Sequence, residues 1–203
     1  MKPNVDVMLS GKREQTKAAN RTAILNAARR VFSEIGYGAA TVRDIVRETD
    51  LAAGTFYNYF PDKESVLRAL VDEIAVGARA RVRTARAEAT TLEAFVADGF
   101  RAYFAFLARD PQTVSLMRRN AGTIRTLFDE PALGAGIVEL REDLDTGVAA
   151  GLLPAHDTGL MAAAMVGAAI EVGLEMVARE PIDVEASAAV VTSIFVGAFL
   201  HMR

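Results

Sequence analysis

The 203-residue chain contains no cysteine and only two histidines. Without cysteine it can form no disulfide framework, no thiolate zinc site and no cysteine nucleophile. The two histidines, His156 and His201, fall near helix boundaries, and neither stands at ligand-like spacing to carboxylates, so no metal site is expected. Glu171 and Glu175 come nearest to paired carboxylates, but pairs on one helix face are mostly solvated or salt-bridged. The glycines near Gly36 and Gly134 do not follow strands, which leaves a phosphate-cradling loop without support. Catalysis and a cofactor are therefore not expected. The opening stretch MKPNVDVMLSGKRE lacks the continuous apolar core of a signal peptide. Nothing in it argues for export, and a cytoplasmic location is expected.

Apolar residues make up 51% of the chain, which excludes general disorder and allows one sizeable core or two small domains. The net charge of −3 hides an asymmetry. Up to Ser65 there are 10 basic and 8 acidic residues, and beyond it 13 and 18, so the positive surplus is N-terminal. Within the stretch SGKREQTKAANR, Lys12, Arg13, Lys17 and Arg21 stand against Glu14 alone. Such a run is ordinarily a solvated face, and it gains meaning only beside an element that reads nucleic acid.

No long alternating strand pattern occurs, whereas apolar residues recur at helical spacing almost throughout, so the chain reads as all-α with about nine helices. The first helix carries Ile24, Ala28, Val31, Phe32 and Ile35 on one face, with Gly36 as a left-handed stop. Thr41 followed by Asp44 predicts the cap of a short second helix holding Ile45 and Val46. A second short helix covers Ala53 to Tyr59 and is ended by Pro61. Asp62 caps a long fourth helix, and the arginines at its far end (79, 81, 83 and 86) suit the exposed carbonyls of a helix C-terminus. A fifth helix follows Thr90 or Thr91, and a sixth runs from Pro111 towards Phe128 with a kink near Gly122. The seventh spans Leu133 to Ala150, the eighth follows Asp157, and the ninth ends at His201.

The last two helices are apolar almost all round. Ala186 to Met202 carries no ionisable side chain except His201, a length at the lower edge of the roughly 17 to 25 residues that span a membrane. Glu171, Glu175 and Arg179 form a charged stripe on the eighth, which argues instead for cover by protein on more than one side. A homodimer built on a four-helix bundle is expected, with Gly167, Ile170, Leu174, Val191, Phe195 and Phe199 at the interface.

Two short helices joined by a tight turn make a helix-turn-helix. The string TAILNAARRVFSEIGYGAATVRDIVRETDLAAGTFYNYFPDKESVLRALV is more specific and closely resembles the N-terminal region of the TetR family of bacterial transcriptional regulators. The resemblance rests on Ile24, Leu25, Ala27, Ala28, Phe32, Gly36, Tyr37, Thr41, Val42, Arg43 and Ile45, continuing through Gly54, Thr55, Phe56, Tyr57, Tyr59, Phe60, Lys63, Glu64 and Leu67. It implies a flexible basic arm over residues 1–18, a DNA-binding domain over 19–65 and a larger ligand-binding and dimerisation domain over 66–203. It also implies that the second short helix enters the major groove of double-stranded DNA, with contacts drawn from Thr41, Val42, Arg43, Ala52, Ala53, Gly54, Thr55, Tyr57, Asn58, Tyr59 and Lys63. Phe56 and Phe60 lack polar tips and should face inward.

Three positions depart from the family pattern. Asp50 stands where relatives commonly have a turn glycine, and aspartate tolerates left-handed backbone better than most residues. Ala52 replaces a frequent serine and removes a hydroxyl cap, a loss of about 1 kcal/mol. Ala53 cannot hydrogen-bond a base, although its methyl can meet thymine.

The resemblance does not name an effector. Phe100, Tyr103, Phe106, Met117, Leu140 and Met165 are candidate cavity residues, with Arg118, Asn120 and Glu171 as polar anchors, and their composition suggests a small apolar or amphipathic ligand. The expected function is a dimeric repressor on a palindromic operator, released by that ligand. The competing reading is a ligand-sensing dimer whose head binds a protein partner instead.

Overall fold

The computed structural model describes the backbone of residues 5–127 and 131–202 and the side chains of residues 13–127 and 134–202. Among them lie ten helices and no strand: α1 (Val5–Glu34), α2 (Gly36–Ala39), α3 (Val42–Arg47), α4 (Ala53–Phe56), α5 (Lys63–Glu88), α6 (Leu92–Ala108), α7 (Pro111–Arg125), α8 (Pro131–Ala149), α9 (Thr158–Ala178) and α10 (Val184–His201). The one helix beyond expectation is α2, a single turn. It begins at Gly36, whose φ of 80° supplies the expected left-handed stop after α1.

The expected arm differs from what is found. Residues 5–18 belong to α1. Glu14 to Ala19 contains neither glycine nor proline, so the helix propagates backwards from its buried stretch. Residues 1–4 of that arm, and its side chains up to Lys12, lie outside the described residues.

The first unit spans Met1–Leu70, a boundary five residues later than the sequence suggests. Val66, Leu67 and Leu70, in the first turns of α5, are fully buried and complete its core. That core also holds Ile24, Leu25, Phe32, Ile45, Phe56 and Phe60, so both phenylalanines of the AGTFYNYF stretch face inward as expected. Burying an aromatic or aliphatic side chain of this size contributes roughly 1.5–3 kcal/mol.

The second unit spans Val71–Arg203. Its helices start on acceptor caps: Thr91 for α6, Asp110 for α7, Asp157 for α9 and Asp183 for α10. Pro111 occupies the first turn of α7, where its missing N–H leaves no bond unmade. This helix runs unbroken past Gly122, because glycine alone lowers helix propensity without removing a hydrogen bond. Its expected end at Phe128 lies outside the described residues. Helix α6 packs against α10, with the Phe100 ring stacked at 5.7 Å on Phe195. Helix α9 packs against α6, α7, α8 and α10, and the Thr158 hydroxyl donates to Asp145 at 2.6 Å to pin α9 to α8.

Helices α9 and α10 are long and apolar enough to cross a membrane by length and composition, with mean hydropathies of 1.8 and 1.6. Core helices of soluble proteins pass the same test.

Candidate nucleic-acid interface and buried cavity

In the first unit the start of α3 is held by a reciprocal cap. The Asp44 backbone N–H donates to Thr41 Oγ1 at 3.2 Å, while the Thr41 N–H and hydroxyl donate to Asp44 Oδ2 at 2.9 and 2.6 Å. The hydroxyl bond is the largest of the influences that hold the Asp44 carboxyl below the usual range. Thr41 and Arg43 are exposed beside this cap, with Val42 half-buried.

The turn between α3 and α4 is closed by Thr49, whose hydroxyl donates to the Val46 carbonyl at 2.8 Å and accepts from the Leu51 N–H at 3.2 Å. Among the described residues only glycines have positive φ, so Asp50 is not left-handed and the turn needs no glycine there. Ala52 is the N-cap of α4 and offers no side-chain bond, as its identity requires. Helix α4 stops at Phe56 instead of reaching Tyr59. Asn58 and Tyr59 then donate to the carbonyls three residues back, a tightening of the chain ahead of Pro61.

This geometry turns Ala52, Ala53, Gly54, Tyr57 and Asn58 outward, with Thr55 half-buried among them. Tyr57 is 59% exposed, and its ring packs edge-on at 5.3 Å against the buried Phe56. Two expected contact residues are placed differently. Tyr59 is half-buried and its hydroxyl accepts from Asn20 Nδ2 at 3.1 Å. The Lys63 ammonium donates to the Tyr37 and Ala40 carbonyls, both at 2.8 Å. Both groups therefore brace the unit, because carbonyls freed at the end of a short helix need a donor. Tyr37, named from sequence only as a position of the family resemblance, is the partner of Lys63.

The second unit contains a partly open cavity of about 140 Å³, walled by residues that lie between Val71 and Ile170. Of the expected ligand residues, Phe100, Tyr103, Met117, Leu140 and Met165 line it. Burial pushes the Tyr103 phenol up, so it stays protonated and able to donate.

Four expected ligand residues do not line the cavity. Arg118 is exposed and pairs with Glu180 at 2.8 Å. Glu171 is likewise exposed, gripped by Arg125 through bonds of 2.8 to 3.0 Å that hold its carboxyl low. Asn120 is buried and donates to the Leu116 carbonyl at 2.7 Å. Phe106 is buried between the guanidinium groups of Arg81 and Arg109, 4.8 and 4.5 Å from its ring centre.

The polar wall comes instead from Arg79 and Arg86. Sequence spacing assigned both to the helix C-terminus, yet Arg86 lies three residues beyond Arg83 and seven beyond Arg79, on the inward stripe with Val82 and Val71. Arg79 pairs with Glu139 at 3.3 Å, and the Arg86 side chain is only 9% exposed, with Asp143 at 3.3 Å. Burial pulls the Arg86 pKa down, against the charges of Asp143 and Glu139.

The expected dimer contacts also need correcting. Ile170, Leu174, Val191, Phe195 and Phe199 are buried within their own chain, Ile170 at the cavity wall. Only Gly167 faces outward. On helices apolar all round, the largest side chains went to the core, and the outward apolar residues are Leu160 on α9 with Val190, Ile194 and Leu200 on α10.

A short helix, a tight turn and a second short helix with a polar outer face, followed by a separate helical unit around an apolar cavity, define a helix-turn-helix protein with a companion domain. Residues 24–70 match the family model described as bacterial regulatory proteins, tetR family, which identifies the helix-turn-helix of the first unit as one of that family's. It is 40% identical over 70 residues to the helix-turn-helix-type transcriptional regulator UidR of Escherichia coli, across 34% of this chain and 36% of that protein. The match thus spans about a third of UidR. Similarity to the transcriptional repressor AcnR of Corynebacterium glutamicum is 28% over 142 residues, covering 70% and 69% of the two chains. The crystal structure of FadR from Bacillus subtilis in complex with stearoyl-CoA superposes with a TM-score of 0.71 at 25% identity, over 86% of this chain and 97% of that one.

Proposed function

We propose that the protein is a ligand-responsive transcriptional repressor that binds a palindromic operator as a homodimer in the cytoplasm and is released by a small apolar or amphipathic effector. The observation that carries this reading is the outward face made by Thr41, Arg43, Ala53, Gly54, Tyr57 and Asn58, backed by buried Ile45, Phe56 and Phe60. Hydroxyls, an amide and a guanidinium on a rigid apolar backing suit phosphate and base-edge contact in a major groove. Ala52 and Ala53 bring no polar atom, so direct base reading falls on few side chains and DNA shape contributes more.

Two such faces must lie one DNA turn apart, roughly 34 to 36 Å, to read a palindrome. The exposed apolar side chains of Leu160 on α9 and of Val190, Ile194 and Leu200 on α10 support pairing through these helices. The cavity supports effector binding, as does the stearoyl-CoA held by the FadR of Bacillus subtilis. Effector binding weakens operator binding with a coupling of about 1 to 3 kcal/mol.

Selection of bound sequences from random double-stranded DNA by the purified protein tests this directly. An enriched palindrome whose affinity falls steeply with salt is expected. Recovery of no palindrome would favour a head that binds a protein partner.

A further inference from the structure

An apolar cavity with a buried cation in its wall raises the question of what that cation is for. Arg86 is nine-tenths buried, its guanidinium lies 5.7 Å from the Phe95 ring centre, and its stem packs 3.5 Å from the Cβ position of Gly99. Its Nε has Asp143 Oδ2 at 3.3 Å yet finds no hydrogen-bond acceptor, because the N–H does not point at that oxygen. A buried guanidinium left short of a bond calls for a well-aligned anion, since a planar fork binds a carboxylate through two parallel bonds. Asp143 is an imperfect partner and is 44% exposed, so it can turn to water at little cost. Glu139 and Asp143 are not wall residues, whereas Arg79 and Arg86 are, so the charge presented to the cavity is positive.

Size narrows the class further. A volume of about 140 Å³ is close to that of an engineered cavity of ~150 Å³ that binds benzene. One ring or a short branched chain fits.

We propose that the effector is a small organic carboxylate whose head displaces Asp143 from Arg86 and whose apolar body packs against Phe100, Met117, Leu140 and Met165. This rests on the reading of the cavity as the effector site.

Calorimetric titration of the full chain with phenylacetate, the neutral phenylacetamide and the cationic phenethylamine tests the assignment. Phenylacetate should bind about tenfold or more tighter than phenylacetamide, as a charge-assisted pair requires. Arg86→Gln should erase that preference, lowering phenylacetate affinity far more than phenylacetamide affinity. Asp143→Asn, which removes the competing anion without touching the wall, should raise phenylacetate affinity several-fold. Equal binding of acid and amide by the wild-type protein, a preference for the amine, or a preference that survives Arg86→Gln overturns the carboxylate assignment alone. Binding of none of the three probes overturns the cavity reading beneath it as well.

Discussion

The Lys63 ammonium lies 4.4 Å from the centre of the Tyr37 ring and donates a 2.8 Å hydrogen bond to the carbonyl oxygen of the same residue. One charge at the start of α5 thereby holds the loop that follows α2. Lys63→Met keeps the aliphatic stem but leaves the Tyr37 and Ala40 carbonyls without this donor. The first unit should lose about 1–3 kcal/mol, read from urea denaturation of the full chain. Unchanged stability with reduced operator affinity would return Lys63 to the DNA-contact set.

Tyr57 and Tyr59 should separate by the same kind of measurement. Tyr57→Phe removes an exposed hydroxyl and should weaken operator binding several-fold without moving the denaturation midpoint. Tyr59→Phe removes the acceptor of Asn20 and should cost about 1 kcal/mol of stability, with any loss of DNA affinity following from that.

Gly173 is small because α6 passes close to it. A Cβ there would stand 2.8 Å from Leu107 Cδ1 and 3.1 Å from Tyr103 Cε1. Gly173→Ala should destabilise the second unit by about 1–3 kcal/mol through overpacking. It should also drive the Tyr103 ring into the cavity, so ligand affinity measured by calorimetry falls even at temperatures where the protein stays folded.

The first unit should lose stability in acid. Hydrogen bonds hold two carboxyls below the ordinary aspartate value of 3.8: Asp44 chiefly through the Thr41 hydroxyl, and Asp62 chiefly through the Ser65 N–H. Groups depressed on folding stabilise fully above the unfolded value, and that contribution is lost as pH falls from 3.8 through the folded values. Urea midpoints measured from pH 7 downward should therefore hold level and then drop below about pH 4. Asp44→Asn should show a shallower drop, and an identical profile would remove Asp44 from the account.

Much of the first unit was legible from sequence, because its signals are local. Gly36 as a stop, Thr41 with Asp44 as a cap, and Phe56 and Phe60 as core each depend on neighbours within a few residues. The roles of Lys63 and Tyr59 were not legible, since their partners Tyr37, Ala40 and Asn20 lie 23 to 39 residues away. In the second unit Thr91 and Asp157 announced two of the helices, but an apolar helix does not say which side meets its own core. The dimer residues went astray for that reason, as did Arg79 and Arg86, whose charge suggested solvent while their helical phase with Val71 and Val82 pointed inward.

The residues that line the cavity fall between Val71 and Ile170, outside the 24–70 segment that matches the family model. Likeness to UidR covers 70 residues, whereas likeness in fold to the FadR of Bacillus subtilis reaches 86% of the chain. A reading head must fit a double helix whose groove varies only within narrow bounds, but a chamber has only to accept whatever compound its owner meets. The wall can therefore be rewritten residue by residue without disturbing the head, and lineages that share one way of gripping DNA are free to diverge in what they taste.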